Sequence, residues 1–587
     1  MLKGLAVAFT VILLGIVCPV FAVETVPPEF YVTNDPSTVR YNYSNADYTQ
    51  ISSTKWSVED VRLKATITDL GNSQWSLEIQ AKINLTDINF PYQTKRSPLD
   101  ADISDDIYYY PYILGQSEKA SNRDTDWLWM GMEYPATAFA PLVVMADSHS
   151  ARIVAAVNWP PKSVIPQYAA QRQVLRYQFE KIAAGSTKTF KALIATVKGN
   201  VDTGQVPWQL ALDLYKTWLK SVVTVRYPDW MWQSEGIFNV QLQNLTDFNI
   251  AALSKNWDEA KSTFPWLLMW GQMSTYAGDC CKMNYTMHER YQPALPDFVK
   301  SVVQSGYHAG YYCAPFVLIP DFSSKIFLDT PEGVAWLTGW LSANRNYNAN
   351  SFYLDTLGRT NWGDPAAILE LFKNGTIPEE TLIEGLVDIY PAPGLVSGCL
   401  TGGDRCGAPF KQAKDWPLTT FPRFGRYLLG DRIIYEGPSN NDHLFWGNTH
   451  YWKGVDGYDL YCRENAPCEY GTERLAFLLG AKIDWYSGLD GWGKNPVINE
   501  ILSERHRVNW WGRRPVYMDT KNLDLRAIPK TSRVEISRFE DTDGKSLIAV
   551  SNPNLEEGLT FNWNGIKIKV PVQKIAILDF AQSTIRK

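Results

Sequence analysis

Three carboxylates each follow a short apolar run in this sequence, at positions where parallel strands would end: Asp355, Glu384 and Glu436. One such carboxylate is often only a helix cap or a loop salt bridge, but three at successive strand ends are harder to explain in that way. Two carboxyl groups that flank a glycosidic bond can hydrolyse it, since one attacks the anomeric carbon or activates water while the other protonates the leaving oxygen. The pattern therefore points to acid–base chemistry of this kind.

The spacing of Asp355 and Glu384 favours these two as the reacting pair. They are separated by 29 positions, one strand–helix–strand repeat, which predicts that they lie on adjacent strands. Adjacent strands can hold two carboxyl groups at the separation of about 5 Å that retaining glycosidases use. We interpret Asp355 as the nucleophile and Glu384 as the acid/base.

Glu436 is the alternative acid/base. The segment that follows it is rich in hydrogen-bonding and stacking groups, including Asn440, His443 and Trp446. Such groups could hold sugar hydroxyls and a ring face, although they could equally form a tightly structured loop whose polar groups satisfy one another. The sequence leaves both readings open.

Further rim positions are candidates for substrate binding: Trp270, Gln272, Asp279, Tyr312, Arg359 and Trp362. Trp270 could also be a core residue, and Arg359 a surface residue. Asp364 stands directly before Pro365, which predicts a helix N-cap rather than a catalytic carboxylate.

The elements that position these residues alternate between apolar runs and helical stretches. Strands are predicted at 236–243, 265–273, 309–316, 351–358, 381–388, 432–440 and 481–488. Helices are predicted between them, at 295–305, 331–343 and 365–372. This alternation is typical of a parallel sheet. Its length suits a (β/α)8 TIM barrel over residues 206–513, with the active site at the carboxyl ends of the strands.

The regions on either side of this segment read as β structure. Around Gly71-Asn72, alternating apolar and polar residues predict a hairpin, and Asn564-Gly565 marks another near the chain end. We therefore expect an α/β protein in which an N-terminal β-sandwich (23–205) and a C-terminal β-sandwich (514–587) flank the barrel.

At this point a family resemblance is visible. The order "SGYHAGYYCAPF", a helix, then "FYLDTLG" resembles the third and fourth strands of retaining glycoside hydrolases of the α-galactosidase superfamily. The resemblance implies that Asp355 is the nucleophile. The step to Glu384 is similar to the endo-α-N-acetylgalactosaminidase branch, which implies an acid/base role for Glu384 and an α-linked substrate. The α-galactosidases proper have a lysine two residues before the nucleophile, whereas this chain has Tyr353.

The first 22 residues fit a secretory signal peptide, with Lys3, an apolar stretch and a cleavage site after Ala22. We expect a secreted or periplasmic protein without a membrane segment once this peptide is removed. Export permits disulfides. The predicted pairs are Cys399 with Cys406, Cys462 with Cys468, and Cys313 with either Cys280 or Cys281.

Composition narrows the function classes. The net charge of −6 argues against a nucleic-acid partner, while 23 Trp and 31 Tyr suit either a carbohydrate substrate or an aromatic core. No G-x-S-x-G, H-E-x-x-H or Walker-type motif is present, so we expect no metal and no cofactor; protein partners are unknown. The sequence therefore predicts an exported glycoside hydrolase, the alternative being a carbohydrate-binding protein on a degenerate barrel.

Overall fold

The computed structural model describes most of the chain. The described residues are 21–22, 26–92, 98–112, 114–122, 133–169, 171–201, 205–225, 227–242, 249–270, 287–313, 327–358, 361–395, 419–420, 422–430, 432–436, 476–487, 496–518, 535–552, 559–563, 566–571 and 574–579.

The first part of the chain is almost entirely β. Its strands are β1 (Phe21–Ala22), β2 (Phe30–Asn34), β3 (Arg40–Tyr43), β4 (Thr49–Ser52), β5 (Lys55–Glu59), β6 (Leu63–Gly71), β7 (Gln74–Ala81), β8 (Leu85–Tyr92), β9 (Ile107–Tyr110), β10 (Gln116–Lys119), β11 (Leu142–Ala146), β12 (Ser150–Ala156), β13 (Ile165–Ala169), β14 (Arg172–Tyr177) and β15 (Thr187–Lys198). The predicted hairpin is confirmed, because β6 and β7 pair antiparallel around residues 71–74.

The central part alternates strands with helices, as predicted. Its elements are α1 (Pro207–Val222), α2 (Asp229–Gln233), β16 (Gly236–Gln241), α3 (Ile250–Ala260), β17 (Trp266–Trp270), α4 (Ala294–Gln304), β18 (His308–Cys313), α5 (Pro331–Asn346), β19 (Ser351–Gly358), α6 (Pro365–Lys373), β20 (Thr381–Gly385), β21 (Gly394–Leu395), β22 (Thr419–Thr420), α7 (Pro422–Leu428), β23 (Ile434–Glu436), β24 (Lys482–Ser487), α8 (Pro496–Arg507) and α9 (Trp510–Arg513). Asp364 is the N-cap of α6, and its Oδ1 accepts the Ala366 N–H at 2.9 Å, which confirms its predicted role.

The last part returns to strands: β25 (Val516–Tyr517), β26 (Glu535–Glu540), β27 (Ser546–Ser551), β28 (Leu559–Trp563), β29 (Ile566–Val570) and β30 (Ile575–Asp579). β25, β26, β27 and β30 form one antiparallel sheet, and β28 pairs antiparallel with β29. The predicted α/β class is thus confirmed. Within the described residues, no helix is long and apolar enough to cross a membrane.

Two antiparallel sheets of the first part face each other. The larger has the order β22-β10-β9-β11-β12-β15-β7-β6-β5-β4, with β1 on β15, and the smaller has the order β13-β14-β8-β2-β3. Side chains bond across the gap: the Tyr168 hydroxyl donates to Glu118 Oε2 at 2.6 Å, and Gln173 Nε2 donates to the Val143 carbonyl at 3.1 Å. These bonds satisfy polar groups that burial would otherwise leave unpaired.

Eight parallel strands close into a barrel in the order β16-β17-β18-β19-β20-β21-β23-β24, since β24 pairs back to β16. Alternate residues face opposite sides of each strand. On β19, for example, Phe352 and Leu354 pack outward in the large core, whereas Tyr353 packs inside the barrel with Trp266 and Leu382. The carboxyl ends of the eight strands therefore share one rim.

The buried carboxylate of Asp388 joins the β region to the barrel. Tyr134, from the β region, donates its hydroxyl to Asp388 Oδ1 at 2.9 Å, and Tyr215, from α1, donates to Oδ2 at 2.6 Å. Arg432 donates to the backbone carbonyls of Asp388 and Tyr390. Burial raises the pKa of Asp388 to about 6, although both tyrosine bonds and Arg432 act in the opposite direction.

We expect Asp388→Asn to change how stability depends on pH. The raised pKa means that the folded protein keeps a proton which the unfolded chain releases from about pH 4 upward, so ionisation of Asp388 lowers stability until about pH 6. The amide does not titrate. The free energy of unfolding of the variant, relative to that of the unmodified protein, should rise between pH 4 and pH 7 by an amount on the order of 3 kcal/mol. Urea denaturation at each pH measures this difference, and a pH-independent difference would contradict the assignment.

Candidate active site

The barrel strands β19 and β20 bring Asp355 and Glu384 close to the same tyrosine. The two strands are parallel, with Tyr353 opposite Leu382 and Leu354 opposite Ile383, and their register shifts between Leu354 and Gly358. Asp355 and Glu384 are the next residues on each strand. Tyr353 and Leu382 face the barrel interior, Asp355 accepts a hydrogen bond from Tyr312 of the same interior cluster, and the charges of both carboxylates act on Tyr312. Asp355 is 7% exposed and Glu384 is half-buried.

Two tyrosines contact the Asp355 carboxylate. Tyr312, from β18, donates its hydroxyl to Asp355 Oδ2 at 2.6 Å, and the hydroxyl of Tyr353 lies 3.5 Å from Oδ1. Tyr312 and Tyr353 are paired across β18 and β19, with ring centroids 5.6 Å apart. The shorter bond runs from a phenol to a carboxylate, the charge-assisted type that is stronger than a neutral bond. Tyr312, predicted from the sequence as a rim residue, therefore lies against Asp355.

The charges of this site act on the groups beside it. Burial raises the pKa of Tyr312 well above its ordinary value, and the charges of Asp355 and Glu384 raise it further. The phenol consequently remains protonated and remains a donor. Burial, together with the charge of Asp355, also raises the pKa of the neighbouring Cys313 thiol, so this cysteine stays uncharged and is a poor nucleophile.

Aromatic side chains fill the amino end of the barrel. His308 stacks on Trp230 with ring centroids 3.6 Å apart, and Trp230 meets Trp266 edge to face. Trp266 Nε1 donates to Ser351 Oγ at 2.8 Å. Burial lowers the pKa of His308 to about 4, so its ring is neutral near pH 7 and is not a cation there. Asp355 and Glu384 lie towards the opposite end of the barrel.

Trp362 lies in the core rather than on the rim. It is 1% exposed and its backbone carbonyl accepts the Leu328 N–H at 2.8 Å, which links the segment after β19 to the start of α5. Its indole is thus packed among other core side chains. The role of Trp362 in substrate binding stays a prediction.

Several predicted site residues lie outside the described part of the chain: Gln272, Asp279, Arg359, Asn440, His443 and Trp446. Trp270 ends β17, and Glu436 ends β23, where it pairs with Ile483 on β24. Glu436 is therefore two strands beyond Glu384 in the barrel and is not next to Asp355.

The sequence reasoning missed one barrel strand, β21, which lies between β20 and β23. It has two residues, Gly394 and Leu395, and no helix separates it from β20, so neither length nor alternation marked it. The Ile383–Gly394 and Gly394–Ile434 pairings reveal it. The first carboxylate that follows this strand in the sequence is Asp404, which lies outside the described residues.

Neither a metal centre nor a disulfide is visible among the described residues. No group of three or more His, Cys, Asp or Glu side chains there is suited to a metal ion. Cys313 is buried and its thiol is free with respect to the described chain. Its predicted partners, Cys280 and Cys281, and the other predicted pairs lie outside that part of the chain, so the disulfide framework stays a prediction.

The fold is shared with a solved glycosidase. The chain is similar to the α-N-acetylgalactosaminidase NagBb of Bifidobacterium bifidum, whose structure holds GalNAc, with a TM-score of 0.54 and 10% identity over 89% of this chain and 93% of that one. At that identity the likeness shows the fold alone.

Two further likenesses are looser. One is to a xylosidase from Aspergillus niger (TM-score 0.45, 11% identity, covering 94% of this chain and 85% of that one). The other is to an α-xylosidase of family GH31 from a soil metagenome (0.47, 9%, covering 91% and 98%). Because both TM-scores are below 0.5, neither supports an inference. No protein-family model matches the chain, and no curated protein matches its sequence.

The burial of Trp362 is testable. We expect Trp362→Ala to lower the free energy of unfolding by about 3–5 kcal/mol, because it leaves a large cavity in a packed core. The matched control is Trp159→Ala, since Trp159 is 36% exposed and should cost less than about 1 kcal/mol. Urea denaturation of the three proteins provides the comparison. Equal, small losses for both variants would show that the Trp362 ring is not buried in solution.

Proposed function

We propose that this chain is an exported glycoside hydrolase that cleaves an α-linked O-glycosidic bond with retention of configuration. The observation that carries the proposal is the placement of Asp355 and Glu384 on adjacent barrel strands, beside the same inward tyrosine, Tyr312. Neighbouring strands lie about 4.8 Å apart, which is close to the separation of about 5 Å between the two carboxyl groups of retaining enzymes. In this proposal the architecture is a (β/α)8 barrel between two β-sandwiches.

In the first step, a carboxylate oxygen of Asp355 attacks the anomeric carbon while the bond to the leaving oxygen breaks. Glu384, protonated at this stage, gives its proton to that oxygen, and the sugar remains as an ester of Asp355. In the second step, Glu384 takes a proton from water, the water oxygen attacks the same carbon, and the ester bond breaks. The sugar leaves with its original configuration and both carboxyl groups return to their starting states.

Tyr312 supports this assignment of roles. Its hydroxyl donates to one oxygen of Asp355 at 2.6 Å, which favours the ionised carboxylate that a nucleophile requires and fixes its orientation. The half-buried Glu384 has more access to solvent, as suits a group that meets the leaving oxygen and then water. The α linkage and a substrate of the galactosaminide type rest on the family resemblance, which the presence of Tyr353 in place of a lysine weakens for galactose itself.

The decisive experiment is a panel of aryl α- and β-glycosides, including the galactoside, xyloside and N-acetylgalactosaminide, assayed with the unmodified protein and with Asp355→Asn. We expect hydrolysis by the former and a loss of at least about 10³-fold in the variant, because an amide cannot form the ester intermediate. Asp364→Asn is the matched control, since asparagine also caps helices well, and it should stay within about twofold.

The outcomes of this panel separate the alternatives. Activity that survives in Asp355→Asn would overturn the nucleophile assignment. Binding of sugars by the unmodified protein without hydrolysis of any substrate would favour the non-catalytic carbohydrate-binding protein. An inverted product, seen by NMR at early times, would overturn the double displacement.

The acid/base assignment has its own test. With a substrate whose leaving group needs no protonation, Glu384→Gln should keep much of the first step and regain turnover when azide replaces water, because azide needs no general base. Glu436→Gln and Asp404→Asn are assayed beside it, because Glu436 ends β23 and Asp404 is the first carboxylate after β21 in the sequence. If azide restores turnover to one of these two variants and not to Glu384→Gln, the residue changed in that variant is the acid/base.

We expect Tyr312→Phe to move the acid limb of the kcat/KM profile to higher pH. Without the phenol donor the ionised carboxylate of Asp355 is less stable, so a higher pH is needed to keep the nucleophile charged. The basic limb, which reflects the acid/base, should move less. Initial rates between pH 3 and pH 9 measure both limbs. An unshifted acid limb would show that the hydroxyl does not act on the nucleophile.

A further inference from the structure

One short segment of the β region reaches the loops that follow both proposed catalytic carboxylates. This segment, residues 133–139, is here called the clasp. Its first residue, Glu133, accepts a hydrogen bond from Asn361 Nδ2. Asn361 lies six positions after Asp355, and its Oδ1 accepts the Gly363 N–H at 2.8 Å. The side chain of Asn361 thus ties the segment that leaves β19 to the clasp.

The clasp also holds the loop that leaves β20. Tyr134 donates its hydroxyl to Asp388 Oδ1 at 2.9 Å, and the Phe139 carbonyl accepts the Asp388 N–H at 2.8 Å. Asp388 follows Glu384 by four positions. Asp388 therefore makes one side-chain hydrogen bond and one backbone hydrogen bond with the clasp. Both Tyr134 and Asp388 are almost completely buried.

The clasp is itself fixed in the β region. The N–H of Tyr134 donates to the Val164 carbonyl at 2.9 Å and the Val164 N–H returns the bond at 3.1 Å, while the Phe139 N–H donates to the Pro111 carbonyl at 2.9 Å. The clasp, held by these bonds, contacts both the segment after β19 and the loop after β20. These contacts limit how far the two can move relative to each other.

We propose that the clasp sets the relative position of Asp355 and Glu384, with Tyr134 and Glu133 as positioning residues. This inference rests on the proposed function for its catalytic consequence. Neither residue touches the reacting atoms: each acts on a loop a few residues beyond a strand end. A nucleophile and an acid/base on separate strands must be held within a fraction of an ångström of the productive geometry, and small displacements cost much of the rate.

The first test is Tyr134→Phe, which removes a hydroxyl and leaves the ring. We expect kcat to fall about 10-fold or more while KM changes less than about twofold, because the substrate still binds but the two carboxyl groups are less well placed. The matched control is Tyr177→Phe, another fully buried tyrosine of the β region, whose hydroxyl accepts a bond from Asn158 Nδ2 of the same region at 3.0 Å. Its kcat should stay within about twofold.

The second test uses Glu133. Glu133→Ala should lower kcat in the same way as Tyr134→Phe, because it removes the acceptor for Asn361. Glu133→Gln should restore the rate to within about twofold of the unmodified protein, since the amide oxygen still accepts the bond. A fall in kcat that the glutamine does not rescue would overturn the positioning role of Glu133.

The third readout does not depend on activity. Hydrogen–deuterium exchange of the segment 381–390 should become at least about tenfold faster in Tyr134→Phe and remain unchanged in Tyr177→Phe, because loss of the bond loosens the loop after β20. Unchanged exchange would overturn the clasp. Faster exchange in a protein that hydrolyses no glycoside would leave the clasp standing as a positioning device and remove the proposed function instead.

Discussion

The parallel register of β18, β19 and β20 is the constraint on which the site depends. Tyr312 pairs with Tyr353, and Tyr353 pairs with Leu382. Asp355 follows at the point where the β19–β20 register shifts, and there it lies against Tyr312. Because side chains alternate along a strand, a slip of one residue would turn Asp355 out towards the helices and bring Leu354 inside. The inward aromatic and aliphatic side chains resist such a slip, since each fills a place in the barrel interior. The hydrogen bond between Tyr312 and Asp355 follows from this register and then fixes the carboxylate within it.

The register of the strands also determines which side chains point inward at each end of the barrel, and the two ends differ in chemistry. Near the amino end, Trp230, Trp266 and a neutral His308 pack against one another. Near the carboxyl end the inward positions become Tyr312, Asp355 and Glu384. The carboxylate of Asp355 therefore lies where the phenol of Tyr312 donates to it, above apolar packing that lowers the dielectric constant around it.

Much of the barrel was predictable from the sequence, because its strands and helices carry strong local patterns. Helices α4, α5 and α6 and the strands that contain Asp355 and Glu384 lie close to their predicted positions. β21 was not predictable, because two residues carry no periodicity and only pairing with Ile383 and Ile434 defines them. The burial of Trp362 was not predictable, because sequence shows that a residue lies near a strand end but not which way its side chain turns. The contacts of Asp388 were out of reach, since Tyr134 is 254 positions away in the chain and Tyr215 is 173 positions away.

The contacts of Asp388 with Tyr134 and Phe139 join the β region to the barrel. A segment that began at residue 206 would keep α1 and Tyr215 but lose the hydroxyl of Tyr134 and the carbonyl of Phe139, so Asp388 Oδ1 and the Asp388 N–H would lose their partners inside a core. Buried groups without partners are costly. The loss would extend to the contact between the Tyr109 and Trp208 rings and to the pairing of β10 with β22, a strand contributed by the barrel segment. The boundary near residue 205, predicted from a change in sequence pattern, separates two kinds of secondary structure, and buried hydrogen bonds cross it.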